Sequence, residues 1–339
     1  MKQPWLYRNI VDLGFIVLPP FFVLALVFVF HSDLQTIQDS YSFVTWLFLI
    51  VFIDVAHVYS TLFKTYFIKD MFQRHRRLYT VVPLLSLGLA LILYQIGSLF
   101  LWSVLALIAV FHFVRQQYGF MRLYSRYEII GWSRFIDQLA IYAATIYPML
   151  YWVSTPRSFN WFLEGEFEWL SGIEVFLPIL SALYFIILTV WFLKTSVLSI
   201  RNKYFNIPKN LIILGTILSW YFGIVYFNND LIFTLLNVIS HGIPYMALIF
   251  IQEIKQKDHL AFQSFRKKLG ISLFIFVAVV VGFAFSEEVL WESLVWKEHF
   301  SFLDYEPSEL FLSIMVPVLI VPQLTHYILD GFIWKRTHK

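Results

Sequence analysis

The sequence predicts an all-α, polytopic membrane helix bundle: one integral-membrane domain over residues 1–339, with about ten transmembrane helices and both termini cytoplasmic. Three observations carry this reading. Of the 339 residues, 59% are hydrophobic and only 14% charged, whereas a soluble domain carries about 25% charged residues. Ten apolar runs of spanning length follow one another with short connections. The basic residues also alternate, 23 of the 25 lying at the termini or in every second connection, which is the distribution of a cytoplasmic face.

The runs can be taken in order. The first, 11–31, follows Lys2 and Arg8 without a small-residue cleavage site and reads as a retained helix rather than a signal peptide. The second, 42–63, leads into Lys64, Lys69, Arg74, Arg76 and Arg77. Runs 80–96 and 98–118 meet in a tight hairpin at Gly97-Ser98. Stopping the fourth before Arg115 would leave it 17 residues long, so Arg115 is placed inside the membrane or at its edge. Arg122, Arg126 and Arg134 follow on the same side, and 135–153 forms the fifth span. The next connection holds Arg157 with Glu164, Glu166 and Glu168. Span 173–193 returns to Lys194, Arg201, Lys203 and Lys209, and spans 210–227 and 231–251 lead to Lys255, Lys257, Arg266, Lys267 and Lys268. Span 270–286 opens onto an acidic connection from Glu287 to Glu309 that contains Lys297. The last span, 309–329, ends before Lys335, Arg336 and Lys339. Trp5, Trp132, Trp152, Trp169 and Trp334 fall near span ends, as interfacial anchors do. A bacterial cytoplasmic membrane is the expected location. The lipid bilayer is the expected partner, and no nucleic acid.

Composition also limits the chemistry. There is no cysteine, so disulfides, thiolate nucleophiles and cysteine-bound zinc or iron–sulfur sites are excluded. Any metal must be held by nitrogen and oxygen.

Ionisable groups within spans are costly and face a cavity, a partner or a metal. The candidates are Asp54 and His57 in the second span, His112 in the fourth, His241 in the eighth, and His326 with Asp330 in the tenth. Asp54 and His57 are three residues apart, and His326 and Asp330 four, so each pair lies on one helix face, the geometry by which helical carboxylate–histidine pairs ligate metals. At about 1.5 Å per residue, His57 lies roughly 10 Å and Asp54 about 15 Å from Lys64, while His326 lies roughly 14 Å from Lys335. By the same measure Asp330 is about 8 Å from Lys335, and His112 about 15 Å from Arg122. His241 is deeper, roughly 20 Å from Lys255. Pro244 and Pro322 each free a carbonyl four residues earlier and are expected to kink their helices.

Several residues admit two readings. Arg115 either snorkels to the interface or fixes a positive charge near a bound anion. Asp137 either hydrogen-bonds a ligating histidine or complements a helix dipole. His75, between Arg74 and Arg76, belongs to a lipid-phosphate patch or joins the site. His31, His259, His299 and His338 read as surface residues.

Four histidines and two carboxylates suit two divalent metal ions with open positions, iron favoured and zinc or manganese alternative. Arg115, Gln116, Tyr118, Tyr245 and Tyr327 are the expected supporting catalytic groups. The pattern Asp54-x-x-His57, His112, His241-Gly242 and His326-x-x-x-Asp330 resembles histidine-rich integral-membrane non-haem iron enzymes, including bacterial β-carotene dioxygenases and membrane desaturases and hydroxylases. The residues and the resemblance together imply a membrane-embedded, metal-dependent oxidoreductase with a dinuclear non-haem iron centre. Its hydrophobic or lipid substrate would enter from the cytoplasmic leaflet, with an electron donor as partner. The competing readings are an ion- or proton-coupled transporter, a haem or quinone membrane protein, and a metal-free lipid transferase.

Overall fold

The computed structural model describes residues 2–36, 42–155, 167–170, 172–227, 229–257, 265–297 and 306–334. Among these residues the regular structure is entirely helical. α1 is a bent pair, Asn9–Val17 and Pro19–Leu34, with 52° between its halves. Pro19 and Pro20 follow the break, where a helix start tolerates their missing N–H. α2 is Phe43–Phe63; the Ser42 hydroxyl caps it by accepting from the Thr45 amide, and Leu47–Val55 is wound as a π-helix.

α3 (Arg76–Ile96) and α4 (Ser98–Tyr124) are separated by Gly97 alone, as the hairpin reading expects. α5 is Trp132–Ser154, α6 Ile173–Asn202 and α7 Ile207–Tyr226. α8 is Asp230–Lys257, and α9 is Phe265–Trp291 with a π-helical continuation through Glu292–Trp296. α10 is Glu309–Ile333. Pro244 and Pro322 lie within α8 and α10, which continue past them.

Eight of these helices are long and apolar enough to cross a membrane, or nine if the bent α1 counts as one span. The protein is therefore read as an integral membrane protein. α5 is not among them, because Asp137, Gln138, Tyr142, Tyr147, Pro148 and Tyr151 dilute its apolar character.

The chain forms two compact units, Met1–Tyr41 with Val110–Pro244, and Ser42–Ala109 with Tyr245–Lys339. In the first, α5 packs against α6 and α7, and α7 against α1. Gly215 permits the last contact, since a Cβ there would sit 2.8 Å from Pro20 Cγ. Trp152, Trp220, Ile224 and Phe233 form one core cluster of this unit, and Val23, Val27, Ile232 and Leu236 another. In the second unit α10 packs along α3 and α9 along α2, around Ala90, Leu101, Trp291, Ile320 and Leu324.

A buried polar network ties the first unit together. Asp137 accepts from Lys194 Nζ at 2.5 Å, Lys209 Nζ at 2.9 Å and Trp191 Nε1 at 3.1 Å. Lys209 also donates to Glu128 at 3.0 Å. Asp137 is thus committed to two ammonium groups and an indole. Neither role expected for it, supporting a ligating histidine or complementing a helix dipole, is needed to account for its burial.

Candidate functional site

Among the described residues, each unit buries one pair of histidines. In the second, His57 on α2 and His326 on α10 are each 2% exposed, and their rings meet edge to face at 5.0 Å between centroids, 81° apart in plane. In the first, His112 on α4 and His241 on α8 are each 3% exposed, with centroids 5.2 Å apart and an interplanar angle of 81°. A ring nitrogen of His112 and one of His241 lie within 4.8 Å of each other, a spacing two ligands of one ion can adopt. The depth offset expected for His241 therefore does not separate it from His112.

Local winding positions the α2 candidates, Asp54 and His57. The π-helical stretch Leu47–Val55 contains Asp54, and α-helical winding resumes at Ala56. π-turns are rare and concentrate at functional sites. Asp54 Oδ1 lies 3.7 Å from His57 Nδ1, so the three-residue spacing does bring the two side chains together.

Behind His326 runs a polar chain with a fixed direction. Thr61 Oγ1 lies 2.7 Å from His326 Nδ1 and 3.2 Å from the Tyr245 hydroxyl. Tyr245 is hydrogen-bonded to Asp330, which also accepts from Trp334 Nε1 at 2.6 Å. An ionised carboxylate only accepts, so Tyr245 donates to Asp330. The Tyr245 oxygen then accepts from the Thr61 hydroxyl, and the Thr61 oxygen accepts from His326 Nδ1–H. This assignment, inferred from the network, puts the ring proton of His326 on Nδ1 and the lone pair on Nε2. Asp330, expected as a metal ligand, thus lies behind Tyr245 and Trp334, in a position to orient His326. Lys64 lies over the Trp334 ring at 5.3 Å and donates to Gln252.

In the first unit Gln116 Nε2 donates to the His241 carbonyl at 3.1 Å, joining α4 to α8 one turn from His112. Phe113 packs edge-on against His241 at 4.3 Å. Arg115 points elsewhere. It is exposed, donates to the Tyr142 hydroxyl at 2.6 Å and stacks over Tyr118 at 4.8 Å, while Tyr118 accepts from Gln138 at 2.8 Å.

Tyr327 lies among the charges of Asp54 and Glu287 and hydrogen-bonds Gln323. His75 is half-buried and packs near Tyr79 at 5.9 Å. His31 is exposed. Arg157, Glu164, Glu166, His259, His299, His338 and the basic residues after Trp334 lie outside the described residues.

Comparison with protein-family models, curated proteins and solved structures finds no match.

Three features escape the sequence reading. Thr61 carries no signal of its own, because a threonine near a helix end is unremarkable until its neighbours are known. Trp334 reads as an interfacial anchor, yet its indole N–H is bonded to Asp330. The third is the end of the ninth span. The expected boundary at 286 leaves Glu287 onward in an acidic connection, but α9 continues and buries Glu288 and Glu292. The apolar residues Val289, Leu290, Trp291, Leu294, Val295 and Trp296 interleaved with these acids are the signal for that extension.

Proposed function

We propose that the protein is a membrane-embedded, metal-dependent oxidoreductase. It binds two divalent ions, iron in preference to zinc or manganese, and acts on a hydrophobic or lipid substrate arriving from the cytoplasmic leaflet of a bacterial cytoplasmic membrane. The supporting observation is the pair of buried, edge-on imidazole couples, His57 with His326 and His112 with His241. Burying four imidazoles in an apolar bundle is costly, and metal ligation is what their nitrogen-rich, cysteine-free chemistry suits best. Iron bound there would supply oxygen activation. The protein's own groups orient the ligands: Thr61, Tyr245 and Asp330 act on His326, and Gln116 acts on the backbone of His241. Ten spans with both termini cytoplasmic belong to this proposal, with α5 crossing alongside the more apolar helices.

Metal content by mass spectrometry, with an absorption spectrum, tests this reading on the purified chain. The expectation is roughly two irons or zincs per chain, with loss of metal in His57→Ala and His326→Ala. A metal-free, colourless protein from metal-replete cells overturns it, and a Soret band selects a haem protein instead.

One observation favours a second reading, a cation- or proton-coupled transporter. Glu288 and Glu292 are buried in the half of α9 away from its basic Arg266–Lys268 end, and intramembrane acids line ion pathways. Pyranine-loaded proteoliposomes that acidify or alkalinise under an imposed cation gradient would support transport.

A further inference from the structure

Arg134, in the first turn of α5, is half-buried and has, among the described residues, neither a hydrogen-bond nor an ion-pair partner. The acids nearest to it in sequence are committed elsewhere, Asp137 to Lys194 and Lys209, and Glu128 to Lys209 and Asn206. Those two carboxylates and two ammonium groups sum to zero charge, so Arg134 is an excess cation. It lines a surface cavity of about 550 Å³ with Ile130, Gly131, Trp132, Phe135 and Gln138, a volume in the range of small-molecule sites.

The apolar wall of that cavity is turned outward. Ile130 and Trp132 are each 81% exposed, and the adjoining Ile129 is 90% exposed. This segment begins after Tyr124, the last residue of the membrane-crossing α4, where an exposed tryptophan and its apolar neighbours sit at the membrane–water boundary. Further along α5 the same face is polar, because Arg134, Gln138 and Tyr142 follow one another at four-residue steps. Gln138 donates to the Tyr118 hydroxyl at 2.8 Å, Arg115 donates to the Tyr142 hydroxyl at 2.6 Å, and the two tyrosine rings stack at 5.3 Å. No acid takes part in this stripe.

We propose that the cavity at the start of α5 binds one anionic phospholipid, with its phosphate on Arg134, its acyl chains over Ile130, Trp132 and Phe135, and its ester region against Gln138 and Tyr118. A soluble anion would neutralise Arg134 and leave the apolar wall bare. A zwitterionic lipid would cover the wall but bring its own cation beside Arg134. A lipid of net negative charge meets both demands, as basic residues at a membrane surface do with acidic headgroups. The inference uses neither histidine pair and stands apart from the metal reading.

The test is native mass spectrometry of delipidated full-length protein in a neutral detergent, titrated with dioleoyl phosphatidylglycerol and, separately, with dioleoyl phosphatidylcholine. The wild type is expected to bind its first phosphatidylglycerol at least about 5-fold more tightly than phosphatidylcholine. Arg134→Gln is expected to bring the two affinities together, and Arg134→Lys to keep most of the preference. Arg201→Gln, which removes an exposed charge at the end of α6, is expected to leave the preference unchanged. Equal affinities in the wild type overturn the site. Equal losses in Arg134→Gln and Arg201→Gln also overturn it, since they show only a general attraction between basic residues and acidic lipid. Excess inorganic phosphate is expected not to displace the lipid, and displacement would overturn the assignment to a lipid. Should Arg134→Gln not accumulate as folded protein, Trp132→Ser serves at a side chain exposed enough to be replaced: weaker binding of both lipids supports the site and unchanged binding overturns it.

Discussion

Thr61→Val replaces a hydroxyl with a methyl group of nearly the same volume, at a side chain only 4% exposed. It removes two hydrogen bonds, at 2.7 Å to His326 Nδ1 and at 3.2 Å to the Tyr245 hydroxyl. Each contributes a net of about 0.5–1.5 kcal/mol, so the metal-free protein should lose about 1–3 kcal/mol. The functional effect is separate. A histidine no longer held at Nδ1 can rotate or change tautomer, and loss of such an orienting contact lowers metal affinity by about 10–100-fold, equivalent to about 1.4–2.8 kcal/mol. Thr61→Ser, which keeps the hydroxyl, should recover most of that affinity. Chelator-competition titration measures the affinity, and thermal unfolding of the stripped protein measures the stability. A Thr61→Val protein that unfolds earlier yet binds metal as tightly as wild type would refute the orienting role and leave Thr61 a packing residue.

Asp330→Asn should weaken metal binding by about 10-fold without abolishing it if Asp330 acts through Tyr245; complete loss of one ion per chain would return it to the role of direct ligand. Lys209→Met leaves Asp137 and Glu128 short of a shared partner and should cost about 3–5 kcal/mol in denaturant unfolding. The double variant Lys209→Met with Asp137→Asn should regain part of that loss, and strict additivity would contradict the network. Gly215→Ala drives a methyl group into Pro20, with Phe21 Cε2 also only 3.2 Å away, and should cost about 1–3 kcal/mol, visible as a lower unfolding temperature with metal affinity unchanged.

The helices were legible in the sequence because span length and charge alternation are properties of contiguous residues. The hairpin at Gly97 and the continuation of α4 past Arg115 follow from them directly. The histidines were legible for a related reason, since an imidazole in an apolar run stands out and its helical spacing to Asp54 or Asp330 can be counted. What each group touches could not be counted. Asp330 has a ligand's spacing from His326, but Trp334, four residues further on, and Tyr245, on another helix, occupy its oxygens. Asp137 stands near no basic residue of its own helix except Arg134, and its partners Lys194 and Lys209 come from α6 and α7. Glu288 was hidden by its neighbours, because three acids within six residues read as a solvated connection until the interleaved apolar side chains are given weight.

X-ray absorption at the iron edge of the purified, iron-loaded protein tests metal binding by the buried histidines most directly. The account predicts a first shell of nitrogen and oxygen at about 2.0–2.2 Å with outer-shell scattering from imidazole rings, the imidazole component declining in His326→Ala and in His241→Ala. An oxygen-only shell without imidazole scattering, or no protein-bound iron to examine, would contradict it.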